Sequence, residues 1–216
     1  MKRFDIITIF PEIIAAYANE SILARAAKRK LIKIAGHDLR RWTRDRRRTV
    51  DDKPFGGGPG MVLAVEPIAR AVSALRGRNK RKARVILFST RGKEFSQAEA
   101  RRLAKYDQLI LICGRYEGVD ERVAEHIADE ELSLGPFVLS GGELPALVVV
   151  DAVSRQIPGV LGKQESLEEI KGSFPQYTRP REAKLKIGKR TIAAKVPEVL
   201  LSGDHKKIAA WRKKHS

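Results

Sequence analysis

The sequence predicts an α/β fold built on a mostly parallel sheet. Two observations support this prediction: short apolar runs typical of buried strands recur along the chain, and segments of helical periodicity separate them. Strands that alternate with helices pair in parallel, because each helix carries the chain back across the sheet. Hydrophobic residues make up 43% of the 216 residues, which is enough for a sizeable core.

Strands are predicted from the composition of each apolar run and from the polar residues that bound it. Four runs fit a buried strand, and a last strand or extended loop is expected to begin at Leu132. The four runs are residues 4–9, 31–34, 84–89 and 109–113.

Helices are predicted where apolar residues recur every three or four positions behind a capping signal. Pro11 suits a first helical turn. The next helix is expected to be capped by Asn19 or Ser21, and Ser96 with Glu99 has the spacing of a capping box. After the helix that Pro11 opens, the predicted helices cover residues 21–30, 65–75, 96–105, 120–127 and 143–156.

The pattern changes after Gly162, which predicts two domains. We expect a main domain over residues 1–162, a polar linker over 163–180 and a small basic domain over 181–216. Within the small domain, residues 184–194 suit a basic hairpin and residues 203–214 a short helix.

Cysteine and histidine usage argues against disulfides and metal clusters. The single cysteine, Cys113, has no partner in the chain, and the four histidines lack metal-ligand spacing. No run reaches the roughly 18 apolar residues of a membrane helix. The basic and apolar start resembles a signal peptide, but Asp5, Pro11 and Glu12 interrupt it and no small-residue cleavage site follows. We expect a cytoplasmic protein without membrane association.

Net charge is the strongest compositional signal. The 43 Lys and Arg residues exceed the 26 Asp and Glu residues, which gives a net charge of +17. The basic residues cluster in residues 40–48, in 76–84 and along the last 38 residues, 179–216. A solvated positive surface would account for one cluster, whereas three clusters favour a polyanionic partner such as a nucleic acid.

Three glycine-rich segments are candidates for chemistry. Residues 51–61 contain three consecutive glycines but match neither a Walker A loop nor GxGxxG. Residues 112–122 follow a buried strand directly, where ligands bind in open α/β sheets. Residues 133–144 combine glycines with apolar side chains that suit an adenine slot. The alternative for the first segment is a flexible surface loop. The alternatives for the second and third are an ordinary strand-to-helix turn and a packing turn.

Together these segments resemble the bacterial tRNA (guanine-N1)-methyltransferase family of the knotted SPOUT superfamily. The resemblance runs along nearly the whole chain and is carried by the strings VDDKPFGGGPGM, ICGRYEGVDER, LSLGPFVLSGGELPALVVVDAVSRQIPGVLG and YTRP. It implies a trefoil knot in the C-terminal half of the main domain, a small, mainly helical C-terminal domain, and a homodimer. The implied reaction is methylation of tRNA at N1 of guanosine 37, beside the anticodon, with S-adenosylmethionine as donor and a magnesium requirement.

The resemblance also implies site residues. Arg155 matches the position that stabilises negative charge at guanine O6. The donor-binding residues would be Leu87, Ser89, Gly114, Tyr116, Glu117, Leu134, Gly135, Pro136, Phe137, Val138, Leu139, Gly141 and Gly142. The tRNA-binding residues would be Asp52, Gly57, Gly58, Arg179 and His205.

Three departures from the family pattern stand out. First, Ile170 stands where the family has the aspartate taken as general base, and the linker is shorter than usual; Glu168 and Glu169 are neighbouring carboxylates that could substitute, and we assign the role to Glu169. Second, residues 89–92 read STRG instead of SPQG. Third, residues 181–194 differ in character from the family, and the sequence stops soon after the WR of residues 211–212. Two other functions stay open: a catalytically weak RNA-binding relative that retains the donor pocket, and a basic nucleic-acid-binding structural protein.

Overall fold

A computed structural model describes residues 1–76, 82–162 and 172–215. The chain divides into two units, Met1–Leu161 and Gly162–Ser216. Among the described residues, no helix combines the length and the apolar character that crossing a bilayer requires.

A five-stranded sheet forms the centre of unit 1, and every neighbouring pair in it is parallel. The strands of unit 1 are β1 (Lys2–Thr8), β2 (Ile32–Asp38), β3 (Asp51–Asp52), β4 (Val62–Leu63), β5 (Ala83–Glu94), β6 (Gln108–Ile112) and β7 (Glu130–Ser133). The spatial order in the five-stranded sheet is β2-β1-β6-β5-β7, and β3 and β4 form a separate antiparallel pair.

Helices cover both faces of this sheet, as expected for a parallel sheet. Consecutive residues of β1 point to opposite faces, so Phe4 and Ile6 join one buried cluster and Ile7 joins the other. The helices are α1 (Pro11–Ala18), α2 (Ser21–Lys28), α3 (Val65–Leu75), α4 (Gln97–Ala104), α5 (Arg122–His126) and α6 (Glu143–Arg155). The first cluster includes buried side chains of α1, α2, α4 and α6, and the second those of α3 and α5.

The mostly parallel α/β architecture is therefore confirmed, and several helix signals are confirmed with it. Pro11 is the first residue of α1, and α3 has the predicted bounds. The Ser96 hydroxyl caps α4 by accepting a hydrogen bond from the Glu99 amide.

The predicted cap of α2 is wrong. Its N-cap is Glu20 and carries no side-chain hydrogen bond, while Asn19 is the C-cap of α1 and Ser21 lies inside α2 with φ of +48°. Asn19 therefore ends one helix instead of beginning the next, and Ser21 already lies within the first turn of α2. Leu132 is also not the first residue of its strand, because β7 begins at Glu130.

Two strands extend beyond the apolar runs that predicted them. Because β2 is at the sheet edge and only partly buried, it continues through polar positions to Asp38. Strand β5 continues to Glu94, but Phe88 and Lys93 both lie opposite Leu132 of β7. The four residues 89–92 therefore leave the ladder and project beyond the sheet.

The described part of unit 2 contains a hairpin followed by two helices. Strands β8 (Glu182–Ile187) and β9 (Arg190–Lys195) pair antiparallel around Gly188 and Lys189, as predicted for residues 184–194. Helix α7 spans Glu198–Leu201 and α8 spans His205–Lys214, with the Asp204 carboxylate capping α8. The hairpin holds nearly as many residues as the helices, so the expectation of a mainly helical unit is only partly met.

A buried carboxylate joins three strands of the sheet. The Asp5 side chain, only 3% exposed, accepts hydrogen bonds from His37 Nε2 at 2.9 Å and Gln108 Nε2 at 2.7 Å, and pairs with Arg3 at 3.1 Å. Burial alone would raise the pKa of Asp5, but these partners outweigh it and lower the pKa below its ordinary 3.8.

Replacing Asp5 by Asn is expected to reduce the free energy of unfolding by about 1 to 2 kcal/mol at neutral pH, because the new amide cannot accept all these bonds. A depressed folded-state pKa gives stability that is present above pH 3.8 and decreases as the pH falls through the native pKa. The difference in free energy of unfolding between wild type and Asp5→Asn should therefore become smaller below about pH 4. Urea unfolding across this pH range tests it, with the exposed Asp107→Asn as control; a gap independent of pH would contradict the account.

Candidate functional site

A cleft with a volume of about 510 Å³ lies beyond the carboxyl ends of three parallel strands. Its walls are the projecting residues 89–91 after the first part of β5, residues 114–119 after β6, and residues 134 and 137–142 after β7. Ligands of open α/β sheets bind at this edge, and the volume suits a small molecule.

The structure brings together nearly all of the donor-binding residues that the resemblance implied. Every residue of that group lines the cleft except Gly135 and Pro136, which lie in the loop after β7 but do not contact the cavity. Phe137, Val138 and Leu139 are large apolar residues that remain exposed there. The cleft therefore offers an apolar surface next to a glycine-rich one.

A buried ion pair that the sequence did not reveal connects two walls of the cleft. Arg115 Nε donates to Glu143 Oε2 at 2.9 Å, and the Glu143 side chain is 2% exposed. The Thr8 hydroxyl donates to the other carboxylate oxygen at 2.6 Å, and the Arg115 guanidinium lies 4.7 Å from the centre of the Phe10 ring. The network joins the ends of β1 and β6 to the first turn of α6.

The backbone of the third wall approaches β6 so closely that it requires glycine. A Cβ atom at Gly142 would lie 2.6 Å from the Cα atom of Cys113. The Gly142 amide instead donates to the Gly114 carbonyl at 2.9 Å. Any side chain at position 142 would push the two walls apart.

The cleft also contains a buried polar atom without a hydrogen-bond partner in the described part of the chain. This atom is Oε2 of Glu131, whose nearest cation, Arg91 Nη2, is 4.0 Å away. Arg91 itself pairs with Glu121 at 2.6 Å. This oxygen is available to a ligand that carries a hydrogen-bond donor.

The described residues favour neither a cysteine nucleophile nor a metal ion held by side chains at the cleft. Burial raises the pKa of the Cys113 thiol well above its ordinary value, so the thiol stays protonated and is a poor nucleophile. Within residues 1–76, 82–162 and 172–215, His, Cys, Asp and Glu side chains form no group of three that could hold a metal ion.

The glycine-rich segment of residues 51–61 adjoins the cleft through the hairpin of β3 and β4. The Glu117 amide donates to the Met61 carbonyl, and the Leu63 amide donates to the Gly118 carbonyl. Asp52, Gly57 and Gly58 are exposed on this hairpin and its loop. The other residues implied to bind tRNA, Arg179 and His205, belong to unit 2.

Arg155, implied to be catalytic, does not line the cleft of its own chain. It is the last residue of α6, whereas the cleft lies at the first turn. The 13 residues of α6 span roughly 20 Å. Glu169 and Ile170 lie outside the described residues.

Comparison with known proteins gives one consistent result. The family model described as tRNA (Guanine-1)-methyltransferase TrmD matches residues 1–216. Relatives named tRNA (guanine-N(1)-)-methyltransferase occur in Citrifermentans bemidjiense (47% identical, covering 98% of this chain and 84% of the relative) and Thermomicrobium roseum (48%, 98% and 77%). A third, from Dehalococcoides mccartyi, is 47% identical and covers 99% of this chain and 85% of the relative.

Replacing Glu143 by Ala is expected to lower the free energy of unfolding by about 1 to 3 kcal/mol, because the half-buried Arg115 guanidinium and the buried Thr8 hydroxyl would both lose their acceptor. The matched control is Glu121→Ala, which breaks the exposed pair with Arg91 and should cost less than about 1 kcal/mol. Urea denaturation measures both. Equal losses for the two variants would mean that the buried pair does not organise the cleft.

Proposed function

The chain belongs to the tRNA (guanine-1)-methyltransferase family, and on this premise we propose that it methylates tRNA at N1 of guanosine 37 with S-adenosylmethionine as donor. The observation that carries the proposal is the cleft at the strand ends, where segments matching the family's motifs meet. Because the relatives are named as methyltransferases, an active enzyme is favoured over the catalytically weak RNA-binding relative.

The cleft fits the proposed donor chemically. Leu134, Phe137 and Leu139 offer an apolar slot for the adenine ring, and Glu131 Oε2 offers an acceptor for a ribose hydroxyl or the ammonium group. Gly114 and Gly142 let the backbone close around the ligand. When bound, the donor supplies a methyl group on a sulfonium.

Two further residues would act on the guanine. Its N1 carries a proton, so a base has to remove that proton as the N–C bond forms and the C–S bond breaks. We assign this step to Glu169, the carboxylate next to Ile170. Arg155 would stabilise the negative charge that develops on O6. The base has to leave its stack to reach the cleft.

We propose that the enzyme is a homodimer formed through α1 and α6. Large apolar side chains on these helices are 37 to 57% exposed, and single proteins rarely leave such patches uncovered. The side chains are Phe10, Ile13 and Tyr17 from the α1 segment and Leu144 and Val148 from α6. If two copies pack their α6 helices antiparallel, Arg155 of one copy comes close to the cleft of the other.

Unit 2 would contribute tRNA contacts. Its hairpin and α8 carry many exposed lysines and arginines, and Arg179 and His205 belong to this unit. We assign residues 181–216 to tRNA binding and 163–180 to the connection between the domains. Salt should weaken binding strongly, because phosphate contacts release counterions.

Two further expectations concern the knot and the metal. We infer that the C-terminal half of the main domain is threaded as a trefoil knot; the support is the family to which the chain belongs. The family resemblance also implies magnesium. The described residues do not fit a protein-held ion, and none of the proposed steps involves one.

The first test is methyl transfer from labelled S-adenosylmethionine to two tRNA transcripts, with guanosine or adenosine at position 37. Only the guanosine transcript should be labelled, because only guanine has a protonated N1 beside O6. Labelling of neither transcript, with both ligands bound, would contradict the proposal.

The same assay with Glu169→Gln tests the base. Turnover should fall by about 100-fold or more, the size of a typical general-base contribution. Full turnover of this variant would move the role to a carboxylate of the cleft, such as Glu117.

Arg155→Ala should lower turnover about 100-fold with donor affinity retained, because the arginine acts on charge that develops only in the transition state.

The action of Arg155 across the dimer is tested by mixing this variant with a second one that has lost donor binding, such as Leu134→Arg. If Arg155 serves the neighbouring cleft, mixed dimers hold one intact site and activity recovers to roughly a quarter of wild type. No recovery on mixing would place Arg155 in its own cleft.

A further inference from the structure

We propose that unit 1 has its own tRNA-docking surface, made of the arginine loop (residues 41–48) and Phe55. The guanidinium groups would contact backbone phosphates, and the phenyl ring would stack on a nucleobase. This inference rests on the proposed function, because it takes tRNA as the partner.

The arginine loop contains five arginines and a single carboxylate, that of Asp45, so most of its positive charge is unbalanced. Its exposed arginines form no ion pair with any described residue; they are Arg41, Arg44, Arg46, Arg47 and Arg48. Elsewhere in unit 1, eight arginines pair with Asp or Glu: Arg3, Arg40, Arg76, Arg84, Arg91, Arg102, Arg115 and Arg122. Five exposed arginines without a described ion pair thus lie within eight consecutive residues, as expected for a phosphate-binding surface.

The carboxylate of Asp45, the acidic residue of the loop, is hydrogen-bonded to the neighbouring Thr49. Both carboxylate oxygens of Asp45 accept hydrogen bonds from the Thr49 amide at 3.1 Å, and one also accepts from the Thr49 hydroxyl at 2.8 Å. These bonds, led by that of the hydroxyl, lower the pKa of Asp45. The Arg48 amide closes the turn on the Asp45 carbonyl.

A second contact holds the beginning of the loop. Arg70 of α3 donates to the Trp42 carbonyl at 2.5 Å. The loop is therefore shaped before any ligand arrives, which reduces the conformational entropy lost on binding.

The loop leads directly to the candidate active site. Only two residues separate its last arginine, Arg48, from the start of β3. The hairpin of β3 and β4 is in turn hydrogen-bonded to residues 117–120 of the cleft wall. An RNA backbone held by the loop would therefore run toward the cleft.

Phe55 supplies the second kind of contact. It is fully exposed, with a relative accessibility of 102%, in the segment between β3 and β4. The following glycines, Gly56 to Gly58, all have positive φ and open space around them. Aromatic side chains displayed in this way stack on unpaired bases, and such bases occur in an anticodon loop.

The charge contribution is tested with the triple variant Arg44→Gln/Arg46→Gln/Arg47→Gln. Its control, Arg25→Gln/Lys28→Gln/Lys33→Gln, removes the same formal charge from exposed positions on α2 and β2. The dissociation constant for a tRNA transcript is measured at several KCl concentrations. We expect the slope of log Kd against log salt to fall by about 2 in the triple variant, at roughly 0.7 per lost contact, and to change little in the control. Equal slopes in the two variants would overturn the role of the loop.

The stacking contribution has a different signature. Phe55→Ala should weaken tRNA binding about tenfold without changing the salt slope, and Phe55→Trp should retain affinity because its ring also stacks. Unchanged affinity in Phe55→Ala would remove Phe55 from the surface. Calorimetric binding of S-adenosylmethionine checks that every variant is folded.

Failure of this inference can be separated from failure of the proposed function. If the wild-type chain methylates tRNA while the arginine and Phe55 variants bind like the controls, only the docking surface is refuted. If the wild-type chain binds tRNA and the variants show the expected losses of tRNA affinity, but no methyl group is transferred, only the proposed reaction is refuted. If it does not bind tRNA at all, both are refuted.

Discussion

The buried contact between Arg115 and Glu143 holds together the part of unit 1 in which the cleft lies. It joins residues 28 positions apart, and Thr8 extends it to the first strand. A buried ion pair adds little net stability compared with an apolar replacement, but any other arrangement would leave a charge buried and unpaired. The contact therefore selects one arrangement of the three segments, and the close approach of Gly142 to Cys113 depends on that arrangement.

Charge is distributed differently in the cleft and in the arginine loop of unit 1. Around the cleft and the sheet ends, cations are matched by carboxylates, which suits a site for a small molecule of mixed charge. In the arginine loop the cations are unmatched and exposed, which suits a polyanion whose phosphates complete the pairing. One chain thus combines a neutralised pocket with a positive surface, and the hairpin of β3 and β4 links the two.

The sequence was sufficient for features that depend on local pattern. The 65–75 helix has regular apolar spacing, and the strand predicted over residues 109–113 matches β6 within one residue because an apolar run ends there at glycine. Features that depend on distant contacts were not predictable. The polar end of β5 forms a strand only because β7 pairs with it, and the role of Glu131 depends on a cavity made by three separate loops.

The order of the sheet also has a consequence for synthesis of the protein. Strand β1 is made first, yet it lies inside the sheet between β2 and β6. One edge of β1 stays unpaired until β6 has been translated roughly 100 residues later, which at 5 to 20 residues per second is on the order of 5 to 20 s. During that interval residues 4–9 lack a pairing partner along one edge and are exposed to chaperones and to other nascent chains, so the ribosome-bound intermediate is prone to aggregate.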